Sequence, residues 1–258
     1  MRRARVAFAG AIHEAVPAGG QLRLTDGRLV GEEEVVWLPP FEVGTIIALG
    51  LNYADHAKEL SFASQHEPLV FLKGPGTVIG HRGVTRRPAD AKFMHYECEL
   101  AVVIGRSAKR VSRADAHAHI AGYCIANDYA VRDYLENWYR PNLRVKNRDG
   151  CTVIGPWLVD AGEAADASGL GLRTYLNDTL VQQGNTRDLI FDIPYLIEYL
   201  SAFMTLAPGD VILTGTPEGV SNVMPGDVIA CEIDGLGRQI NTIAADSLFG
   251  REEASHAD

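Results

Sequence analysis

The sequence predicts a mixed β fold with few helices, of the α+β class, and three observations carry that expectation. Short apolar runs bounded by Gly, Pro, Asn or Asp recur along the whole chain, the signature of strands closed by turns. Helical periodicity is confined to three stretches, near Asn52 to Leu60, after Ser112, and after Asp192. Strands and helices do not alternate regularly, so a doubly wound parallel sheet is not expected.

Taken in order, residues 1–44 read as a small N-terminal β-module, with Gly19-Gly20 and Asp26-Gly27 as hairpin turns and a close near Pro39-Pro40. The basic head Arg2-Arg3-Ala4-Arg5 is followed by an apolar run broken at His13 and Glu14, too short for a secretory leader. Residues 45–250 form the expected catalytic unit, and residues 251–258 a tail. Within that unit Thr45–Leu49 and Leu69–Leu72 are buried runs, and Glu97–Ile104 alternates with Cys98, Leu100, Val102 and Ile104 on one face. Further strand runs are expected near 122–126, 153–159, 172–176, 210–214, 227–233 and 238–243. Ser112 with Asp115 has the spacing of a capping box. Asp192 and Pro194 open the third helix, with Leu196, Ile197, Leu200, Phe203 and Met204 as its apolar stripe.

The bulk composition excludes several function classes. With 258 residues, 47% of them hydrophobic and 22% charged, the chain can bury an ordinary core. A net charge of −9 and the lack of a Lys/Arg stripe argue against a nucleic-acid surface. No run approaches the ~20 apolar residues of a membrane span. Cys98, Cys124, Cys151 and Cys231 stand far apart with no CxxC pair, which fits reduced thiols and a cytoplasmic setting.

Four groups could carry chemistry. Glu97 and Glu99, at i and i+2 of one strand, project together, and two such carboxylates are tolerable only with a proton or cation between them. The plain alternative is the polar face of an edge strand. Asp128 ends an apolar run where a strand terminus would face a cleft, and two glutamates with an aspartate suit Mg²⁺ or Mn²⁺. His56 and Glu59, at i and i+3, share a helix face as a base and its orienting carboxylate, or as a surface pair. Arg132, Arg140, Arg144, Lys146 and Arg148, offset by Asp133, Glu136 and Asp149, form either an electropositive lip or a solvated loop. Thr214-Gly215-Thr216-Pro217 is a turn able to cradle a carboxylate, or a structural turn. His81, His95, His117 and His119 read as core or surface residues.

Several longer segments resemble one family. They are Gly50-Leu51-Asn52-Tyr53-Ala54-Asp55-His56, Pro68–Lys73, Tyr96-Glu97-Cys98-Glu99-Leu100, Gly122–Asp133, Val181-Gln182-Gln183-Gly184 and Ser201–Gly219. In order and spacing they are similar to the fumarylacetoacetate hydrolase superfamily over roughly residues 45–245. The resemblance implies a β-roll core and a divalent metal held by Glu97, Glu99 and Asp128. It implies a proton-transfer dyad, His56 with Glu59, on the family's lid helix, and Lys146 as the active-site lysine. Thr216 would sit in the substrate-carboxylate cradle, with Asn52, Arg132 and Arg140 as further substrate-binding residues.

Two departures narrow the resemblance. Leu51 stands where family hydrolases usually have Arg, and Lys146-Asn147-Arg148-Asp149 replaces K-G-F-D. With Tyr134–Val145 these look like the homoprotocatechuate-degradation branch of 5-oxopent-3-ene-1,2,5-tricarboxylate decarboxylases and 2-hydroxyhepta-2,4-diene-1,7-dioate isomerases. The expected activity is therefore a metal-dependent decarboxylation or isomerisation of a 2-oxo or 2-hydroxy-dienoic di- or tricarboxylate, through a metal-bound enolate, in aromatic catabolism. The alternatives are a carbon–carbon hydrolase of acylpyruvate or fumarylacetoacetate type, and a non-catalytic metabolite-binding relative. The resemblance also implies a homodimer or higher homo-oligomer.

Overall fold

The computed structural model describes residues 1–54, 66–135, 142–164 and 167–246. At its centre lies the strand Cys98–Ile104, in which all seven residues are buried. It pairs antiparallel with Ile120–Asp128 on one side and with Val211–Leu213 on the other. Its alternation therefore does not mark an exposed edge. Both flanks are hydrogen-bonded and both faces are covered, which is why a nearly continuous apolar composition suits it.

From this centre the large sheet grows both ways. Val211–Leu213 pairs parallel with Ile46–Gly50, which pairs antiparallel with Leu69–Lys73. On the other flank Ile120–Asp128 pairs with Thr152–Ile154 and Leu158–Asp160. Arg2–Phe8 joins at Arg2↔Val159 and Arg3↔Leu158, and carries a meander of Ala11–Ala18, Gln21–Leu24 and Leu29–Val30, with Val36–Leu38 on its other side. Gly19 and Gly20, both at positive φ, make the tight turn expected of them. A second, five-stranded sheet runs Thr179–Asn185, Gly171–Leu176, Val228–Ile233, Gly237–Asp246, Val84–Pro88.

The main core fills the space between the sheets. Cys98, Leu100, Val102 and Ile104 from the central strand meet a layer including Leu172, Ile229, Cys231 and Ile233. Burying each large aliphatic side chain contributes about 1.5–3 kcal/mol. The opposite face of the central strand, Ala101 and Val103, belongs to a smaller cluster with Ile46, Ala48, Phe71, Ala126 and Leu213. Glu97 and Glu99 share that second face by the period of two.

The helix Ile193–Phe203 is capped as expected, the Asp192 carboxylate accepting from the Tyr195 N–H at 2.8 Å. Leu196, Ile197 and Leu200 are buried, but Phe203 is 62% exposed. Phe203 instead ends an outer aromatic row: Phe191 stacks on Tyr195, Tyr195 on Tyr199, and Tyr199 meets Phe203 edge-on. Four-residue spacing creates that row and takes Phe203 off the core stripe. The stretch after Ser112 is a 3-10 helix, Arg113–His119. The Ser112 hydroxyl donates to the Asp115 carboxylate at 2.7 Å, so no capping box forms. The helix expected near Asn52 to Leu60 lies almost wholly outside the described residues, as does the tail 251–258. Among the described residues no helix is long and apolar enough to cross a membrane.

Candidate metal centre and cleft

Strand pairing assembles the acidic group. The Asp128 N–H donates to the Glu97 carbonyl at 2.9 Å, and the Asn127 side-chain oxygen accepts from the Glu97 N–H at 3.0 Å. These bonds join the last residue of one strand, Asp128, to the residue just before the other, Glu97, and bring the two acidic residues side by side. Glu99 lies two residues on, on the same face. One carboxylate oxygen from each of Glu97, Glu99 and Asp128 falls within 4.8 Å of the other two. All three residues are buried.

So much buried negative charge requires compensation. Lys146 supplies part: its ammonium donates to Glu97 Oε2 at 2.6 Å, to Asp128 Oδ2 at 2.8 Å and to the Asp128 carbonyl at 3.0 Å. Burial alone would lower the Lys146 pKa, but the Asp128 and Glu97 carboxylates outweigh it and raise the value, so the ammonium stays charged. Arg132 donates to Glu97 Oε1 at 2.7 Å and through Nε to His95 Nδ1 at 3.3 Å. Lys73, whose side chain is completely enclosed, pairs with Asp128 Oδ1 and donates to the Lys146 carbonyl at 2.5 Å.

Glu99 is held differently. Its Oε2 accepts the Gly215 N–H at 2.7 Å, whereas its buried Oε1 has no hydrogen-bond partner among the described residues. Burial first, then the charges of Asp128 and Glu97, push its pKa well above the ordinary carboxylate range. An orphaned buried carboxylate oxygen beside two further carboxylates fits a divalent cation: the donors are all hard oxygens, and an added positive charge relieves what raises Glu99.

Through Glu97 the group meets a cleft of about 350 Å³, while Glu99 and Asp128 lie behind its lining. Glu97, Lys146, Arg132, His95, Asn142 and Thr216 supply polar walls, and Leu49, Leu51, Leu69, Phe71, Leu135 and Val145 apolar ones. Leu51 sits at φ 58°, backbone that a leucine adopts only at a cost. Thr216 accepts from the Gln182 amide at 2.9 Å, which leaves the hydroxyl hydrogen to point elsewhere.

The residues singled out in the sequence are thus distributed unevenly. Glu97, Glu99, Asp128, Lys146, Arg132 and Thr216 converge. Asn52 does not line the cleft: its amide donates to the carbonyls of Phe191 and Thr214 and accepts from the Phe191 N–H, so it holds the Thr214–Pro217 turn in place. The cationic run divides, because Arg144 lies 3.9 Å over the Tyr134 ring and Arg148 pairs with Asp246 at 2.7 Å, both away from the cleft lining. His56, Glu59 and Arg140 lie outside the described residues. Sequence reasoning missed His95 and Lys73. The signal for Lys73 was its place two residues after Phe71 at the end of a strand, on the inward face.

Comparison with known proteins adds an independent view. Residues 45–244 match the family model described as fumarylacetoacetate (FAA) hydrolase C-terminal. A 4-hydroxyphenylacetate degradation bifunctional isomerase/decarboxylase of Salmonella dublin is 57% identical over 208 residues, covering 81% of this chain and 48% of that protein. The chain therefore spans about half the length of the curated relatives it matches first. Among solved structures, 5-carboxymethyl-2-hydroxymuconate delta-isomerase from Mycobacterium smegmatis superposes with a TM-score of 0.84 at 36% identity, over 96% of this chain and all of that one. Maleylpyruvate hydrolase from Sphingobium sp. SYK-6, in complex with manganese (II) ion and pyruvate, gives a TM-score of 0.81 at 28% identity, over 96% of this chain and 100% of that one.

Proposed function

The chain belongs to the fumarylacetoacetate hydrolase family, and on that premise we propose that it is a divalent-metal-dependent decarboxylase or isomerase of a 2-oxo or 2-hydroxy-dienoic di- or tricarboxylate. The observation that carries the reading is the buried triad Glu97, Glu99 and Asp128, of which Glu97 lines a cleft whose other polar groups are mostly cations or donors. The 55–57% identity to bifunctional isomerase/decarboxylases supports this reaction class over the others the fold hosts. We further propose the role in aromatic catabolism that those relatives' names state, a cytoplasmic setting, and a homodimer or larger homo-oligomer. The catalytic unit is taken to run from residue 45 to 250, with residues 1–44 as its N-terminal module.

Mg²⁺ is the proposed ion, with Mn²⁺ able to replace it. When bound by Glu97, Glu99 and Asp128, such a cation supplies the charge that makes an enolate of a 2-oxo acid accessible. Lys146 and Arg132, already beside the triad, orient the substrate carboxylate and C2 oxygen. Thr216, which also lines the cleft, donates to a carboxylate oxygen. Loss of CO₂ breaks a carbon–carbon bond, and the electron pair moves through the conjugated chain toward C2. His56, paired with Glu59, then supplies the proton that takes the place of CO₂; in isomerisation the same pair removes a proton from one carbon and returns it to another, with no carbon lost. The apolar wall from Leu49 to Phe71 excludes water from that carbon chain.

A second reading, hydrolysis of an acylpyruvate, is favoured by the similarity to maleylpyruvate hydrolase. In that case His56 with Glu59 activates water instead. One spectrophotometric panel separates the two. Loss of dienolate absorbance from the tricarboxylate or the heptadienedioate, abolished by chelator, is expected; turnover of acylpyruvates alone would replace the isomerase reading with the hydrolase one.

A further inference from the structure

Lys73 has no part in the roles set out above. It ends the strand Leu69–Lys73, its side chain has no exposed surface, and its ammonium meets the Asp128 carboxylate, the Lys146 carbonyl and, at 3.6 Å, the Cys151 sulfur. Asp128 is thus gripped on both oxygens, Oδ1 by Lys73 and Oδ2 by Lys146. Lys146, on Oδ2, also donates to Glu97 and lines the cleft. Lys73 does not line the cleft, so it has no direct access to a ligand there.

We propose that Lys73 is a charge-balancing and positioning residue, which neutralises Asp128 from behind so that the loaded site carries a surplus of two positive charges, matched to a dianionic 2-oxo acid. The proposal rests on the divalent-cation reading above. With all three carboxylates ionised, Glu97, Glu99 and Asp128 are balanced among the described residues by Lys73, Lys146 and Arg132, three against three. A divalent cation therefore leaves two charges uncompensated, and the substrate dianion supplies them. Lys73 also keeps Asp128 from wrapping both oxygens round the cation, and its bond to the Lys146 carbonyl fixes where that lysine enters the site. The arrangement weakens cation binding and strengthens dianion binding. A structural prop would weaken both when removed.

That difference in sign is the test. Lys73→Met keeps the length of the side chain and removes its charge. Mn²⁺ titrated into the variant by calorimetry is expected to bind roughly ten- to a hundredfold more tightly than in the wild type, since a like charge has left its neighbourhood. Oxalate, used as the dianion probe on the Mn²⁺-loaded variant, is expected to bind about tenfold more weakly. The thermal shift produced by Mn²⁺ should also grow, because the cation takes over the charge that Lys73 compensated. A variant that folds only when Mn²⁺ is present supports the proposal for the same reason. Weaker or unchanged Mn²⁺ binding in Lys73→Met overturns it. So does failure of both Lys73→Met and Lys73→Gln to fold at millimolar Mn²⁺, which would make Lys73 a purely structural group. Absence of Mn²⁺ binding to the wild type would strike the metal reading itself instead.

Discussion

The Gly215 N–H donates to Glu99 Oε2 at 2.7 Å, tying the turn after Val211–Leu213 to the strand that carries the acidic pair. Gly215 sits at φ +94°, and a Cβ there would stand 3.1 Å from the Asn52 Cβ. Gly215→Ala therefore strains the turn twice, by backbone conformation and by contact with the residue that braces it. We expect a stability loss of about 1–3 kcal/mol and a larger functional effect, because the N–H leaves Glu99. Melting temperature and kcat/KM measured on the same preparation check this. An active, fully stable variant would remove Gly215 from the site.

Glu97→Gln should damage activity more than His56→Ala. The glutamate touches both Lys146 and Arg132 and would offer an oxygen to the proposed cation, so its loss would disturb three parts of the site. A positioned acid–base group contributes on the order of 10²–10⁴ in rate. Charge stabilisation by a bound cation is worth several kcal/mol, so roughly 10³-fold or more should disappear in Glu97→Gln. Steady-state kinetics of the two variants decide the order, and the reverse order would put the proton transfer ahead of the cation.

Removal of divalent ions should abolish turnover and lower stability together. The buried Glu99 Oε1 has no hydrogen-bond partner among the described residues, so a cation that satisfies it also stabilises the native chain. Dialysis against chelator is expected to lower the melting temperature, and Mg²⁺ or Mn²⁺ to restore both properties in parallel. Restoration of activity without any thermal shift would place the ion elsewhere.

His81 predicts a pH dependence of stability away from the cleft. The ring is buried edge-on to Trp37, and its Nδ1 accepts the Ile240 N–H at 3.0 Å. Burial, with a smaller effect of Arg82, lowers its pKa from 6.5 to about 3. Between those values the unfolded chain holds a proton that the native chain does not. The contribution is therefore complete above pH 6.5 and is lost as pH falls toward 3, at up to about 1.4 kcal/mol per pH unit. His81→Asn keeps an acceptor for Ile240 and does not titrate. The stability advantage of the wild type over this variant should shrink by up to about 2 kcal/mol between pH 7.5 and 5 in denaturant titrations.

The parts of the site that were legible in the sequence are those with a local signature. Glu97 and Glu99 share a face because strands repeat every two residues, and Asp128 stands out as a charge closing an apolar run. Lys146 and Thr216 were reached through resemblance, since a lysine in a cationic stretch and a threonine in a Gly-Pro turn have many plain readings. The same stretch was open to two readings, a lip or a solvated loop, and the structure divides it. Arg144 and Arg148 turn away because Tyr134 and Asp246 are nearer partners, and neither partner is local enough to be seen from spacing.

Sequence alone determined the strand periods, the paired carboxylates on one face, the capped helix after Asp192 and the family. Only the tertiary structure decided that Lys73 meets Asp128 and that Asn52 braces the turn from Thr214 to Pro217. Those contacts join residues 55 and 162 positions apart. They depend on which strands become neighbours: Val78–Ile79, just after Lys73, pairs with Thr152–Ile154, which pairs with Ile120–Asp128, an order that no local periodicity encodes. Periodicity tells which way a side chain points along its own strand, and sheet topology tells what it finds there.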